Sequence, residues 1–125
     1  MSIAVPLCGF GGDSKLSMEL LWENASPMSA FGEQTLKLTD INGCPIVVVC
    51  TEGATVNVAT IISGHGYIML TTYSGDEFTS YARYASINGN EVAFETCNVF
   101  KPSSWTTSDV NLVPWKIYKI KGVSA

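Results

Sequence analysis

PIVVVCTEGATVNVATIISGHGYIMLTTYSGDEFTSYARYASINGNEVAFETCNVF, residues 45–100, decides the fold. Short runs of branched and aromatic residues follow one another here, separated by glycine-bearing turns, and none has helical period. Ile46 to Cys50 is apolar at every position, the pattern of a central strand covered on both sides. Val56, Val58, Thr60 and Ile62 then alternate with polar or small residues. Gly64-His65-Gly66 supplies a turn, Tyr67 to Tyr73 runs back, and Ser74-Gly75-Asp76 turns again. Phe78 to Ile87 and Glu91 to Phe100 form a hairpin around Asn88-Gly89-Asn90. A two-residue Asn88-Gly89 loop is locally favoured and pairs Arg83 with Phe94. A three-residue loop pairs Arg83 with Glu95, Tyr84 with Phe94 and Phe78 with Phe100. That register gathers Phe78, Ala82, Tyr84, Val92, Phe94 and Phe100 on one face. Cross-strand pairs contribute roughly 0.2–1 kcal/mol each, so several outweigh one turn preference and the three-residue loop is expected.

Outward from this stretch the same period continues. Residues 1–15 read as an N-terminal strand or a flexible arm. Leu16, Met18, Leu20 and Trp22 alternate as a strand with one apolar face. Asn24 to Pro27 breaks it, with Ser26 placed as an N-cap and room for one helical turn as far as Phe31. Glu33 to Leu38 is a further strand, and Asp40-Ile41-Asn42-Gly43 a turn. Residues 101–111, KPSSWTTSDVN, read as a polar loop. Leu112 to Lys121 forms the last strand, with Pro114 at its start or on an edge, and residues 122–125 a tail. The expected fold is all-β: one antiparallel β-sandwich or jelly-roll-like domain of about eight or nine strands, spanning 16–121.

The chain has 125 residues, of which 14% are charged, against about 25% in ordinary soluble domains. Strands with so few charges have little to blunt their edges, so association with copies of the same chain is expected. The net charge is −4, and the one local group of lysines, Lys116, Lys119 and Lys121, lies in a strand. Nucleic-acid binding by phosphate neutralisation is therefore not expected. No apolar run nears the ~18 residues of a membrane span, and the N-terminus lacks the basic lead of a signal peptide. Cys8, Cys44, Cys50 and Cys97 have no C-x-x-C spacing and one histidine to share, so buried reduced thiols are expected rather than a metal site.

Reactive groups are sparse. His65, the one histidine, sits in a turn with Ser63 and no oxyanion-forming motif around it. Asp76 and Glu77 are adjacent, so on a strand they face opposite ways and cannot flank a substrate. Asp76 lies in a turn between strands. Tyr73 and Trp105 lie near expected loops, where an aromatic ring offers a large contact area with a polar edge. Tyr73, Trp105 and Asp76 are therefore the candidate ligand-binding residues. No phosphate-cradling loop or nucleophile elbow is present. Neither catalytic residues nor a cofactor are expected.

Two segments carry a resemblance. ELLWENASPMSAFGEQTL, residues 19–36, and VPWKIYKIK, residues 113–121, resemble the opening and closing segments of a small β domain. That domain occurs in tail-fibre and baseplate structural proteins of phages and prophages of Gram-positive bacteria. The resemblance spans about residues 19–121 and includes the Asn88-Gly89 turn. It implies a virion structural or host-recognition role without catalysis. It further implies a homo-oligomer, trimeric by preference, that meets a cell-surface glycan or other virion proteins. Its location would be the virion, after synthesis in the bacterial cytoplasm. The competing expectation is a monomeric β barrel holding a small ligand or carbohydrate.

Overall fold

The computed structural model describes residues 15–41 and 43–123. Nine strands build it: β1 (Lys15–Glu23), β2 (Gln34–Lys37), β3 (Ile46–Glu52), β4 (Thr55–Ile61), β5 (His65–Ser74), β6 (Glu77–Asn88), β7 (Glu91–Lys101), β8 (Ser104–Ser108) and β9 (Val113–Val123). They form two antiparallel sheets, β1-β9-β3-β4 and β2-β7-β6-β5, with β8 added to β7. The result is a β-sandwich, as the period-2 pattern predicts. The core between the sheets holds Ile46, Val48 and Cys50 of β3, Ile61, Ile68, Ala85, Val92, Phe94, Cys97 and Ile117, closed by Phe31, Ile41 and Leu112 from connections. Trp22, Phe31 and Phe94 pack edge to face, with centroids 6.0 and 5.6 Å apart, an arrangement that adds to simple area burial.

The β6–β7 hairpin departs from both sequence registers. Asn88 pairs with Glu91, so the turn is Gly89-Asn90. Gly89 takes φ 62° at the first turn position, as a type II′ turn requires. Asn90 is held by tertiary contacts: its carbonyl accepts Leu38 N–H at 2.8 Å and its Oδ1 accepts Ile41 N–H at 2.9 Å. Ala85 pairs with Phe94 but Arg83 with Cys97, so Glu95 and Thr96 together face Tyr84 in a bulge. A bulge changes which side chains face the core. Val92 and Phe94 point inward, as do Cys97 and Val99 beyond the bulge, while Ala82, Tyr84, Phe78 and Phe100 lie on the outer face. The single shared face expected for these residues is thus split in two.

The bulge sits where the outer edge of β7 changes partner. β2 pairs with Glu91–Phe94 and β8 with Cys97–Lys101. Arg83, fully buried, fills the gap. Its Nε donates to Leu112 O (2.9 Å), Nη1 to Phe31 O (3.0 Å) and Glu95 O (2.8 Å), and Nη2 to Asn111 O (2.9 Å) and Asp109 O (3.5 Å). A guanidinium has five N–H donors, and here each meets a main-chain carbonyl. Its carbon also lies 5.8 Å from the centroid of the Phe31 ring. Glu52 braces the same region, accepting Leu112 N–H and the Asn111 amide at 2.9 and 2.8 Å. Leu112 is held at φ 46°, a left-handed conformation that costs on the order of 1–3 kcal/mol for such a residue.

β1 is inverted relative to ordinary strands. Glu19 faces the interlayer end of the sandwich, opposite Lys119, and Leu16, Met18 and Leu20 face outward. Lys119 Nζ lies 3.2 Å from Glu19 Oε2 and 2.8 Å from Asp40 Oδ2, and Lys121 Nζ lies 3.3 Å from Glu19 Oε1. A register shift at Leu21 then turns Trp22 inward, opposite Ile117. The expected apolar face of this strand therefore exists but looks away from the core, with Trp22 removed from it.

Other expectations need correction. Residues 101–111 are not a loop throughout: β8 occupies Ser104–Ser108, because the β7 edge beyond the bulge needs a partner. β9 runs on to Val123 by pairing with Lys15 and Leu16, so 122–123 are strand rather than tail. The segment after β1 turns without a helix, and Asn24 rather than Ser26 supplies the cap, its Oδ1 accepting Ser26 N–H at 2.8 Å. Of β3, one side is core; the other, with Val47 and Val49, belongs to the outward face of its sheet. Cys50 and Cys97 are buried free thiols, but Cys44 is disulfide-bonded, so the reduced thiol expected at this position is not found. It sits in the connection before β3, where a cross-link does not compete with strand packing. The N-terminal strand or arm expected over 1–15, and Cys8 with it, lies outside the described residues except for Lys15.

Arg83→Met keeps an apolar stem and removes every donor. Urea unfolding is expected to show a loss of about 3 kcal/mol or more, since several buried carbonyls lose their partners; a loss under 1 kcal/mol would refute the anchoring role. The Glu19–Lys119–Asp40 cluster predicts a stability plateau with two limbs. Hydrogen bonds from Lys119 and then Lys121 hold the Glu19 carboxyl below its usual range, so its contribution is present at neutral pH and is lost as acid protonates it. The bond to Asp40, chiefly, raises the Lys119 amine, so that contribution persists until pH exceeds the ordinary lysine range. Thermal melts across pH should show the acid limb flattened in Glu19→Gln.

Candidate functional site

Strand alternation sends one side of each residue pair in β5–β8 to solvent. On β5 the outward row is His65, Tyr67, Met69, Thr71 and Tyr73. Pairing aligns Tyr67 with Tyr84, Met69 with Ala82, Thr71 with Ser80 and Tyr73 with Phe78. Across β6 and β7, Ala82 meets Asn98 and Ser80 meets Phe100. Across β7 and β8, Phe100 meets Trp105 and Asn98 meets Thr107. The meander thus lays a continuous aromatic and neutral polar surface over four strands.

Its centre is a groove of about 390 Å³ lined by Tyr67, Met69, Ala82, Asn98, Phe100 and Trp105. Ala82 is the floor: a methyl group between larger side chains leaves the depression. Trp105 stacks on Phe100, with centroids 5.8 Å apart and planes 20° from parallel. Its Nε1 donates to Asn98 Oδ1 at 3.0 Å, which fixes the indole and leaves the Asn98 amide nitrogen as a donor. On the other wall Tyr67 packs edge-on to Tyr84 at 5.1 Å, and Tyr84 lies 5.4 Å from the His65 ring. The Thr71 and Ser80 hydroxyls bond each other at 2.8 Å. Trp105 and Met69 remain 69% and 64% exposed, more than side chains that serve packing alone. The lining carries no charged side chain.

Of the sequence candidates, Trp105 forms a wall of this groove, from a strand rather than a loop. Tyr73 lies on the same outer face, in the row with Phe78 beyond Thr71, and does not line the groove. Asp76 sits in the β5–β6 turn, further along. Tyr67, Met69, Asn98 and Phe100 escaped the sequence reading. Tyr67 to Leu70 is apolar on both faces of a strand, which marks a second apolar face without saying which of its residues take it. His65 opens β5 with its ring against Tyr84; among the described residues it makes no hydrogen bond to a carboxylate or to Ser63. Nor do the described residues gather three or more His, Cys, Asp or Glu side chains in a metal-holding group. A smaller cavity of about 220 Å³ at one end is lined by Gly43, Cys44, Ile62, Ser63, Gly64, Ile87 and Gly89, with no acid or base among them.

Among the described residues, the free thiols of Cys50 and Cys97 are poor nucleophiles. Burial pushes the Cys50 thiol up to about 12, against an opposing pull from Arg83, and burial likewise raises Cys97. A thiolate is the reactive form, so at pH 8 a maleimide is expected to leave both unmodified in the native protein and to label both after denaturation, as read by peptide mass mapping. Native labelling at the denatured rate would contradict this.

Comparison with protein-family models, with curated proteins and with solved structures finds no match. The groove's chemistry is what bears on function.

Proposed function

We propose that this chain is a non-catalytic adhesion module of a phage-type virion, binding a neutral cell-surface glycan through the β5–β8 groove. One observation carries the reading: an uncharged, aromatic-walled groove on a rigid sheet, with amide and hydroxyl donors among the rings. The apolar faces of sugar rings stack on such walls, and their hydroxyls take up the polar edges. A neutral lining favours a neutral ligand over a phosphate-rich or acidic one. The phage context rests on the resemblance of residues 19–36 and 113–121. Those segments lie side by side, since β1 pairs with β9. Asn24 further joins them, donating from its backbone N–H to Trp115 O at 2.7 Å and from Nδ2 to Pro114 O at 2.9 Å. Single contacts in a shallow groove are weak. Repetition in a homo-oligomer on a virion would raise avidity by ~10²–10⁴.

The competing barrel reading places its ligand inside the fold. The two sheets form a sandwich whose interior is filled by Ile46, Val48, Phe94 and Ile117, so the outer groove is the better site.

Titration calorimetry with neutral oligosaccharides released from Gram-positive cell walls tests the proposal. Trp105→Ala and Tyr67→Ala are each expected to weaken binding about tenfold, the value of one aromatic contact, without a change in melting temperature. Affinity should hold between low and high salt, because no ion pair contributes. Equal binding by wild type and Trp105→Ala, or strong salt dependence, would reject this site.

A further inference from the structure

The second outward face, on β1-β9-β3-β4, is built like a core layer. Pairing sets Met18 beside Ile120, Leu20 beside Tyr118 and Val47, and Val49 beside Val58, with Leu16 opposite Gly122 and Val56 opposite Thr51. Leu16, Met18, Leu20, Val56 and Val58 are 47–69% exposed. The inversion of β1 is what produces this. Its carboxylate is drawn to the interlayer end by Lys119 and Lys121, so Leu16, Met18 and Leu20, of opposite parity, are turned outside. Among the described residues, the charged side chains registered on this face are Glu23 and Lys116, directly opposite each other at one end. Lys116 also lies over its neighbour Trp115, its Nζ 4.4 Å from the ring centroid.

We infer that this face is the self-association surface of the chain, and that its occupant is the same face of a second copy. Three features select a second copy. The face is neutral overall, so it meets itself without like-charge repulsion, whereas a basic or acidic partner finds no complement. It is aliphatic along all four strands, with Leu16, Met18 and Leu20 on β1 and Val56 and Val58 on β4, as sheet-on-sheet packing at about 10 Å requires. The five exposed side chains present on the order of 500 Å² of apolar surface, and their half-buried neighbours bring this towards the ~800 Å² per partner of a standard interface. A patch that pairs with itself closes on a two-fold axis, so the assembly is a dimer or is built from dimers, in place of the trimer implied by the resemblance. The glycan grooves, on the opposite sheet of each copy, then face outward in opposite directions. The inference deepens the assembly part of the proposed function and is independent of what the groove binds.

Sedimentation equilibrium of the full chain at 1–100 µM tests it. Wild type is expected as a dimer. Met18→Lys with Val58→Lys is expected to be monomeric, with unchanged far-UV circular dichroism and unchanged oligosaccharide binding per chain. Met69→Lys, on the opposite sheet, should leave the dimer intact while abolishing oligosaccharide binding. If the double variant does not fold, Leu20→Gln should still raise the dimer dissociation constant at least tenfold. A wild-type trimer, or a dimer that survives the double variant, would overturn the surface while leaving glycan adhesion standing. A wild type monomeric at 100 µM would hand the face to another occupant. Loss of oligosaccharide binding in the wild type with the dimer intact would sink the groove instead.

Discussion

A single guanidinium holds the middle of this sandwich together. β7 cannot be served along its whole outer edge by one strand; β2 takes one half and β8 the other, and the bulge at Glu95-Thr96 marks the join. At that join several carbonyls turn away from any ladder. Buried carbonyls demand donors, and Arg83 supplies them to the β1–β2 connection, the bulge and the β8–β9 connection together. Without it the three stretches would have no common partner, and Phe31, which closes the core above it, would lose its seat. Among the described residues no carboxylate bonds the guanidinium; burial tends to weaken the cation, against an opposing pull that includes nearby Asp109, and dense carbonyl dipoles surround the charge.

The same economy shapes the surface. Of seven Lys and Arg residues, Arg83 and Lys119 are buried, used as internal fasteners. What remains outside is thinly charged, and both sheets turn apolar or aromatic side chains to solvent. One outer face carries an aromatic groove, the other an aliphatic row of leucine, methionine and valine. That division separates a surface suited to ring-shaped ligands from one suited to another sheet.

The class of fold was plain in the sequence, because period-2 alternation and turn residues recur along the chain and nothing competes with them. The strand order and the direction each face points were not. Leu16, Met18 and Leu20 read as a core face since burial of apolar groups is the normal outcome; the deciding factor was a pair of lysines on β9, a hundred residues away, that claim Glu19. The hairpin register was misjudged for a similar reason. Local turn preference and pair counting ignore Asn90's bonds to Leu38 and Ile41, and neither foresees a bulge. Trp105 could be singled out as an aromatic in polar company. Tyr67, Met69 and Phe100 could not, since each sits within an apolar run that looks like core until the parity of the strand is known.

A cation bound by main-chain oxygens makes no demand on the side chains around it. The connections that surround Arg83 present it with carbonyls that any residue carries, so for this purpose their lengths count for more than their side chains, apart from Phe31 and Leu112, which also fill the core. Insertions and deletions, rather than substitutions, are what this architecture forbids near its centre. Relatives that preserve the fold while sharing little recognisable sequence are the natural product of such a design.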